Sequence, residues 1–373
     1  MRTKSKILGC LFVLLLALGL GYGVLKLRRP IFNEILVFGD SLSDIGNVYI
    51  FTEKVTPKAP YFEGRFSNGP LWIEVFAEGM GLEVPQPSLA GGTNYAYGGA
   101  RTGDGDRDGK PDIGKQIDQY LEKSGGKVKR KQLIVMSGGC NDFVRGNPVQ
   151  TVPNIVKNIT KLANAGGKIF LVSNFPPLGG LPVFTHEIPV MIETSVLECL
   201  ESSVDPEIHR YLESKIGPRV ASYLKKWIPK ARDYLESMKS YLPMLAEEFA
   251  KRLGGYAGGT LSFKNIGSVL LDGASAVSGM YNDYLELALS DLERKLNIKI
   301  YRLDVNRVFL ELSENPERYG IIHVNVPALD AVTHKLAEGV NPDDFMFFDG
   351  IHPVSKTHRY LGEAAISLFK KGK

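Results

Sequence analysis

Residues 34–47 read Glu-Ile-Leu-Val-Phe-Gly-Asp-Ser-Leu-Ser-Asp-Ile-Gly-Asn. The nearly continuous apolar run at 34–39 is typical of a strand that is buried on both faces of a parallel sheet. The run stops at Gly39-Asp40, so Ser41 follows the strand directly, and a helix beginning there would place it at a helix N-terminus. Free N–H groups and the helix dipole favour developing negative charge at such a position. Because sites in open α/β sheets lie beyond the carboxyl ends of the strands, Ser41 is the first candidate nucleophile.

Further strands and helices alternate along the chain. Four more apolar segments predict strands, the last of them weakly: 132–137, 168–174, 298–304 and 82–84. Helical apolar spacing occurs at 70–79, 112–123, 150–165, 276–295, 304–314 and 355–370. This alternation predicts a mainly parallel five-stranded sheet covered by helices on both faces, which is a three-layer α/β/α sandwich. Asn141 follows the strand at 132–137, so we expect it at the same sheet edge as Ser41.

One long stretch breaks the alternation. Residues 183–270 contain no strong strand but several runs with helical apolar spacing, punctuated by prolines. We therefore interpret 31–182 and 271–373 as one domain and 183–270 as a helical insertion in it. The insertion is either an outgrowth packed on its own core, as aromatic residues at helical spacing usually are, or a lid over the site.

The first 30 residues predict export from the cytosol. Arg2, Lys4 and Lys6 precede an apolar run of nineteen residues, Ile7–Leu25, and basic residues follow it. At ~1.5 Å per residue this run reaches roughly 28 Å, enough for the hydrocarbon core of a bilayer. Residues 1–30 are interpreted as a signal peptide or a retained membrane anchor, with a buried core helix as the third alternative. Either of the first two makes the rest of the chain secreted or membrane-anchored, outside the cytosol.

Composition excludes several classes of protein. The 373 residues carry a net charge of +4 with both signs interspersed, which gives no case for nucleic acid but allows weak attraction to an anionic membrane surface. Cys10 lies in the apolar run, so Cys140 and Cys199 are the cysteines of the folded part. Two cysteines do not make a disulfide scaffold, although one Cys140–Cys199 bridge stays open as an alternative. No Cys/His pairs have the spacing of a zinc site.

A short motif near the C-terminus completes a catalytic set. Residues 349–352 read Asp-Gly-Ile-His. His352 supplies a base for Ser41, and Asp349 supplies a carboxylate that orients the ring and stabilises the imidazolium. Pro353 restrains His352 to an extended conformation, which predicts a loop before the last helix. The alternative is structural, with Ser41 as a helix cap and 349–352 as a capped loop. Structural or surface roles are assigned to the other histidines, which are His186, His209, His323, His334 and His358.

Four blocks of sequence in a fixed order resemble the GDSL, or SGNH, esterases and lipases. They are Phe38–Asn47, Gly92–Ala100, Gly139–Asp142 and Asp349–Pro353, with supporting stretches at 64–70 and 174–179. The resemblance covers about 34–182 and 271–370, and it implies the flavodoxin-like form of the three-layer sandwich. The chain contains no Gly-x-Ser-x-Gly, which argues against the nucleophile-elbow hydrolases.

The resemblance also implies an oxyanion hole. Ser41 is expected to be the nucleophile and, through its N–H, one of the donors. Gly99, in preference to Gly98, gives a second N–H, and the side chain of Asn141 gives a third donor. No cofactor and no metal are implied for this chemistry.

Several acidic residues have two interpretations each. Asp40 and Asp142 either support the turns beside the catalytic residues, which we favour, or touch the substrate. The loop Asp104–Gly109 begins like a calcium loop, Asp-x-Asp-x-Asp-Gly. Lys115 stands where such loops carry a bidentate glutamate, which favours a solvated acidic turn instead.

The form of the blocks resembles the lipase-like branch, which includes phospholipases, lysophospholipases and acyltransferases. The sequence thus predicts a serine esterase or lipase that hydrolyses carboxylic esters through an acyl-serine intermediate. Lipid esters are the first substrate class, and a membrane surface is the expected partner. The alternatives are a carbohydrate O-acetyl esterase, an acyltransferase to an alcohol and, from another class, a catalytically silent lipid-binding protein.

Overall fold

A computed structural model of the chain describes residues 31–145, 148–183, 185, 263–330, 333 and 335–370. The strands in this part are β1 (Glu34–Gly39), β2 (Asp106–Arg107), β3 (Lys110–Pro111), β4 (Gln132–Ser137), β5 (Ile169–Ser173), β6 (Lys299–Leu303), β7 (His323–Pro327) and β8 (Phe345–Phe347). The α-helices are α1 (Asn47–Phe51), α2 (Trp72–Gly79), α3 (Ile113–Lys123), α4 (Cys140–Arg145), α5 (Thr151–Asn164), α6 (Phe263–Leu296), α7 (Val305–Glu314) and α8 (Ser355–Lys370).

The central sheet is parallel and has the strand order β1-β4-β5-β6 among the described residues. Its register pairs Gly39 with Ser137, so the ends of β1 and β4 lie side by side. The close approach requires a glycine, because a Cβ at position 39 would clash with the carbonyl oxygen of Ser137. The chain beyond β1 and the chain beyond β4 therefore emerge as neighbours at one edge of the sheet.

The predicted fifth strand at 82–84 is wrong, since those residues form no strand. Residues 93–97 lie along the outer side of β1 instead. The N–H of Val37 donates to Thr93 (3.0 Å), and the N–H groups of Tyr95 and Tyr97 donate to Val37 (2.8 Å) and Gly39 (3.1 Å). This segment forms only isolated parallel bridges. Its polar residues interrupt the apolar run by which the other strands were predicted.

The sheet separates two hydrophobic cores because successive strand residues point to opposite faces. Ile35 and Val37 pack into one core and Leu36 and Phe38 into the other. The first core includes residues of α2, α7 and α8, and the second includes residues of α3, α5 and α6. The chain thus has the three-layer α/β/α architecture that the sequence predicts.

The longest described helix begins well before its predicted start. α6 begins at Phe263, whereas apolar spacing predicted a helix over 276–295. Its three glycines each cost about 1 kcal/mol relative to alanine in a helix, and the helix continues through them. The predicted boundary at residue 270 falls inside α6. Most of the predicted insertion, 186–262, lies outside the described residues, so the division into domains stays a prediction.

The described part of the chain contains no helix that is both long enough and apolar enough to cross a membrane. The apolar run Ile7–Leu25 and Cys199 lie outside that part. Cys140 is a half-buried free thiol at the start of α4.

Candidate active site

Ser41 lies in a turn and not at a helix N-terminus, so that prediction is wrong. The turn is closed by the N–H of Ser43, which donates to the carbonyl of Asp40 (3.1 Å), and the N–H of Leu42 donates to the Asp40 carboxylate (3.0 Å). Helix α1 begins six residues after Ser41. Its start is set by Asp44, whose carboxylate accepts the N–H groups of Gly46, Asn47 and Val48.

The turn brings Ser41 next to the distant Asp-x-x-His motif. The Oγ of Ser41 lies 2.8 Å from Nε2 of His352, and Nδ1 of His352 lies 2.7 Å from Oδ2 of Asp349. Both distances are those of hydrogen bonds. The three side chains form the chain of nucleophile, base and orienting carboxylate that acyl transfer requires.

The Asp349 carboxylate is enclosed by donors. Its Oδ1 accepts the N–H groups of Ile351 (2.9 Å) and His352 (2.7 Å). Its Oδ2 accepts the hydroxyl of Tyr61 at 2.5 Å in addition to the histidine ring. Burial raises the pKa of this carboxyl, but the charge of His352 and the hydrogen bonds from His352 and Tyr61 outweigh burial and lower the pKa to about 2. The carboxylate is therefore ionised throughout the neutral range.

The loop between β8 and α8 that carries the two residues is fastened by the stretch at 66–68. The Ser67 hydroxyl donates to the carbonyl of Pro353 (2.8 Å), and the Asn68 side chain accepts the N–H of Ser355 (2.7 Å). The Phe66 ring packs against the His352 ring with 5.2 Å between centroids. Residues 66–68 thus hold the loop that carries the Asp-x-x-His motif.

The N–H groups of the two candidate glycines differ in their partners. Gly98 donates its N–H to the Asp44 carboxylate at 2.9 Å, which occupies that donor. The same carboxylate accepts the first free N–H groups of α1, those of Gly46, Asn47 and Val48, and so fixes the start of that helix. Gly99 has a positive φ of 81°, and the described residues contain no acceptor for its N–H.

The residues after Gly99 are tied to helix α4. Asn141 Nδ2 donates to the carbonyl of Ala100 at 3.1 Å, which uses one of the two hydrogens of the amide. The Asp142 carboxylate accepts the N–H of Thr102 (2.9 Å) and its hydroxyl (2.8 Å). The chain at 98–102, here called the oxyanion loop, is thus bound to both the nucleophile turn and α4.

Three buried carboxyl groups beside the site have raised pKa values. Burial raises the pKa of Asp40 to about 6, and the hydrogen bond from the Leu42 N–H offsets only part of this effect. Burial likewise raises the pKa of Asp44 and of Asp142 to about 6. Burial also raises the pKa of the Cys140 thiol far above its usual value, so the thiol is protonated. The hydrogen bonds of Asp40 and Asp142 to the turns favour the supporting interpretation of these residues.

Two other regions that the sequence singled out border the candidate site. His358 is close enough to His352 for their charges to interact, and Arg107 of the acidic loop donates to the carbonyl of Gly99. His358 is fully buried in α8, where Nδ1 accepts the N–H of Trp72 at 3.3 Å, and burial lowers its pKa to about 3. The acidic loop forms the short antiparallel hairpin of β2 and β3. Within it the Asp104 carboxylate pairs with Lys157.

Sequence reasoning missed Tyr61 and Asp44. Asp44 stands inside the first matching block, so its contacts with the start of α1 could have been sought there. Tyr61 lies 288 positions before Asp349 and has no spacing pattern that points to it. Its role depends on a contact that exists only in the folded chain.

Several known proteins are similar in sequence to this chain. A 168-residue match is 33% identical to a phosphatidylcholine-sterol acyltransferase of Aeromonas hydrophila, covering 41% of this chain and 48% of that protein. A thermolabile hemolysin of Vibrio parahaemolyticus is 22% identical over 89% of this chain and 62% of its own length. Lipase 1 of Photorhabdus luminescens is 26% identical over 90% of this chain and 50% of its own length.

The chain spans about half to three fifths of the length of these three relatives. A GDSL esterase/lipase of Arabidopsis thaliana matches along most of both chains, at 23% identity over 97% of this chain and 96% of the plant protein. The model of the GDSL-like lipase/acylhydrolase family matches residues 35–365, which include every side chain of the candidate site. The chain therefore belongs to the GDSL-like lipase/acylhydrolase family.

Proposed function

We propose that this protein is a serine esterase that hydrolyses carboxylic esters through an acyl-Ser41 intermediate. The observation that carries the proposal is the continuous contact from Ser41 Oγ through the two ring nitrogens of His352 to Asp349, with distances of 2.8 and 2.7 Å. A serine hydroxyl is a weak nucleophile unless a base takes its proton, and here the base lies at hydrogen-bond distance.

In the first half of the reaction, Ser41 Oγ bonds to the ester carbonyl carbon while its proton passes to Nε2 of His352. The resulting imidazolium is stabilised by Asp349, which is ionised and bonded to Nδ1. When the tetrahedral intermediate collapses, the leaving alcohol takes that proton and the acyl group stays on Ser41. A water molecule then repeats the sequence with His352 as base, which releases the acid and restores the hydroxyl.

The oxyanion of the intermediate is held by three donors in this mechanism. They are the N–H groups of Ser41 and Gly99 and the remaining amide hydrogen of Asn141. Gly99 is preferred to Gly98 because the N–H of Gly98 already donates to Asp44. Each such donor is typically worth about 10²–10³ in kcat.

Lipid esters are the substrate class we propose first. Exposed apolar side chains are near neighbours of the site along the chain: Phe62 follows the Tyr61 that contacts Asp349, and Ile50 and Phe51 end the helix that begins after the nucleophile turn. Such residues suit the acyl chains of a lipid or the surface of a membrane. The names of the lipase and sterol acyltransferase relatives support the same class.

A chain-length series of p-nitrophenyl esters, measured for the wild type and for Ser41→Ala, tests the proposal. We expect activity that rises from acetate to longer acyl chains and falls about 10⁴-fold or more in the variant. Equal activity in the two proteins, or none on any ester, would refute the esterase and leave the silent lipid-binding protein. A preference for acetate would favour the carbohydrate O-acetyl esterase.

An acyltransferase is the second candidate, because the Aeromonas relative is named as one. The acyl-Ser41 intermediate is common to both reactions, and they differ in whether water or an alcohol accepts the acyl group. Product analysis with a phospholipid donor and an added sterol separates the two. Formation of a sterol ester in excess of free acid would identify the transferase.

We also propose that the protein acts outside the cytosol, secreted or anchored by residues 1–30. The basic residues and the apolar run Ile7–Leu25 support this location. Cell fractionation combined with N-terminal sequencing of the mature protein tests it. Recovery of an intact N-terminus in the cytosol would contradict it.

A further inference from the structure

The candidate catalytic carboxylate accepts four hydrogen bonds. Oδ1 of Asp349 accepts two backbone N–H groups, and Oδ2 accepts both Nδ1 of His352 and the hydroxyl of Tyr61. A carboxylate oxygen has two lone pairs, so all the acceptor sites are in use. The phenol and the imidazole therefore share one oxygen.

The packing of the Tyr61 ring holds its hydroxyl in place. That ring makes edge-on contacts with Phe348, at 5.2 Å between centroids, and with Phe66, at 6.2 Å. Phe66 in turn packs against the imidazole of His352 at 5.2 Å. The rings of Tyr61, Phe348, Phe66 and His352 thus form a single packed group, which fixes the direction from which the hydroxyl donates.

We propose that Tyr61 is a positioning residue, which holds the Asp349 carboxylate against the His352 ring and withdraws negative charge from the shared oxygen. The inference rests on the proposed esterase function, in which His352 must be neutral to accept the serine proton. By holding Oδ2, the phenol prevents the carboxylate from rotating away from Nδ1. By donating to Oδ2, it weakens the stabilisation of the imidazolium and keeps His352 available as a base at lower pH.

The other groups around His352 do not replace this donor. The titratable groups that interact electrostatically with His352 include Asp349, Asp40 just after β1 and His358 on α8. Burial and the nearby Asp349 raise the pKa of the Tyr61 phenol far above its usual range, so it is a donor at every working pH. Asp40 and His358 are the same in a Tyr61 variant, so their effects cancel in a comparison with the wild type.

Tyr61→Phe removes the hydroxyl and keeps the ring. Because the carboxylate is less well held, we expect kcat to fall about 10- to 100-fold with KM changed less than about 2-fold. Because Oδ2 then carries more negative charge for the imidazolium, the acid limb of the kcat/KM profile moves to higher pH by about 0.5 units.

Tyr319→Phe is the matched control. Its hydroxyl also donates to a carboxylate oxygen, that of Glu311 at 2.9 Å, but on the loop after α7. We expect this variant to keep the wild-type kcat and pH profile. A Tyr61→Phe enzyme with a wild-type kcat would overturn the positioning role, and a lower kcat with an unmoved acid limb would overturn the charge effect.

A titration that needs no turnover separates this inference from the esterase proposal. The ring signals of His352, identified by their loss in His352→Gln, are followed by NMR as a function of pH in the wild type and both tyrosine variants. Movement to higher pH in Tyr61→Phe alone supports the inference even if no ester is hydrolysed. An unmoved titration overturns it even if the protein is an active esterase.

Discussion

The oxyanion loop (98–102) and the loop that carries Asp349 and His352 both contact the turn that carries Ser41, yet they are held in different ways. The oxyanion loop is bound by buried side chains from several elements, among them Asp44 before α1 and Asp142 on α4. The loop that carries Asp349 and His352 follows the two-stranded sheet of β7 and β8, and it depends on one carboxylate and on residues 61–68.

The two loops therefore differ in how strongly each depends on a single contact. Gly98, Ala100 and Thr102 of the oxyanion loop each have a different partner, so the loss of one contact leaves the others in place. On the other side, Asp349 holds Nδ1 of the imidazole, Tyr61 acts on the ring through Asp349, and Phe66 packs directly on the ring. We therefore expect single substitutions to be more damaging on the side of the histidine.

Asp349→Asn should have the largest effect. The amide cannot supply the negative charge, and it favours the wrong tautomer of His352, so we expect kcat to fall about 10⁴-fold with the fold intact. Steady-state kinetics on the best p-nitrophenyl ester measures this loss.

Asp343→Asn, an exposed neighbour, is the control and should be as active as the wild type. A loss of less than about 10-fold in Asp349→Asn would mean that another group orients the imidazole, which would remove the contrast between the two sides.

Asn141→Ala should have an intermediate effect. It removes one oxyanion donor and the bond to the Ala100 carbonyl, so we expect kcat to fall about 10²–10³-fold with KM nearly unchanged. The same ester assay measures the change.

Asn341→Ala, on the surface before β8, serves as the matched asparagine control. If Asn141→Ala keeps more than a third of the wild-type kcat, the amide is not an oxyanion donor and its bond to Ala100 is its whole role.

Asp142→Asn should have the smallest effect on the rate, about 10-fold, because the rest of the oxyanion loop keeps its partners. Its effect on stability depends on pH. Burial raises the pKa of Asp142 from 3.8 to about 6, so between these values the folded chain binds more protons than the unfolded chain and loses stability as the pH rises.

Asparagine does not titrate, so the Asp142→Asn variant lacks this loss of stability at higher pH. Its stability relative to the wild type should therefore improve by about 2 kcal/mol between pH 4 and pH 7. Urea unfolding at several pH values measures the difference, and Asp40 and Asp44 titrate in both proteins. A stability difference between the variant and the wild type that does not change with pH would show that burial does not raise the pKa of Asp142.

Much of the fold follows from the sequence because its strands are unusually apolar. The strands β1 and β4 have the bounds that their apolar runs predict, and β5 and β6 differ by one residue at each end. The segment at 93–97 was missed because it pairs with β1 through isolated bridges and needs no apolar alternation. The start of α6 was missed because glycines lowered the helical signal although the helix continues through them.

The candidate site, too, was predicted only in part from the sequence. The residue types at Ser41, Asn141, Asp349 and His352 are chemically distinctive, and their blocks in order were sufficient to name them. The sequence did not predict the local structure around Ser41 correctly. It suggested a helix N-terminus at this residue, whereas the helix begins only at Asn47, because the Asp44 carboxylate accepts the free N–H groups of α1.

By itself the sequence determined the layered architecture and the chemical groups of the site, because apolar periodicity and reactive residue types are local properties of the chain. The tertiary structure alone decided which partners those groups have. It places the Tyr61 hydroxyl 2.5 Å from the carboxylate of Asp349, which is 288 positions away, and it places the Gly98 N–H where it donates to Asp44. Such contacts depend on how loops from different elements pack together, and a hydrogen bond between two distant polar residues leaves no periodic trace in the sequence.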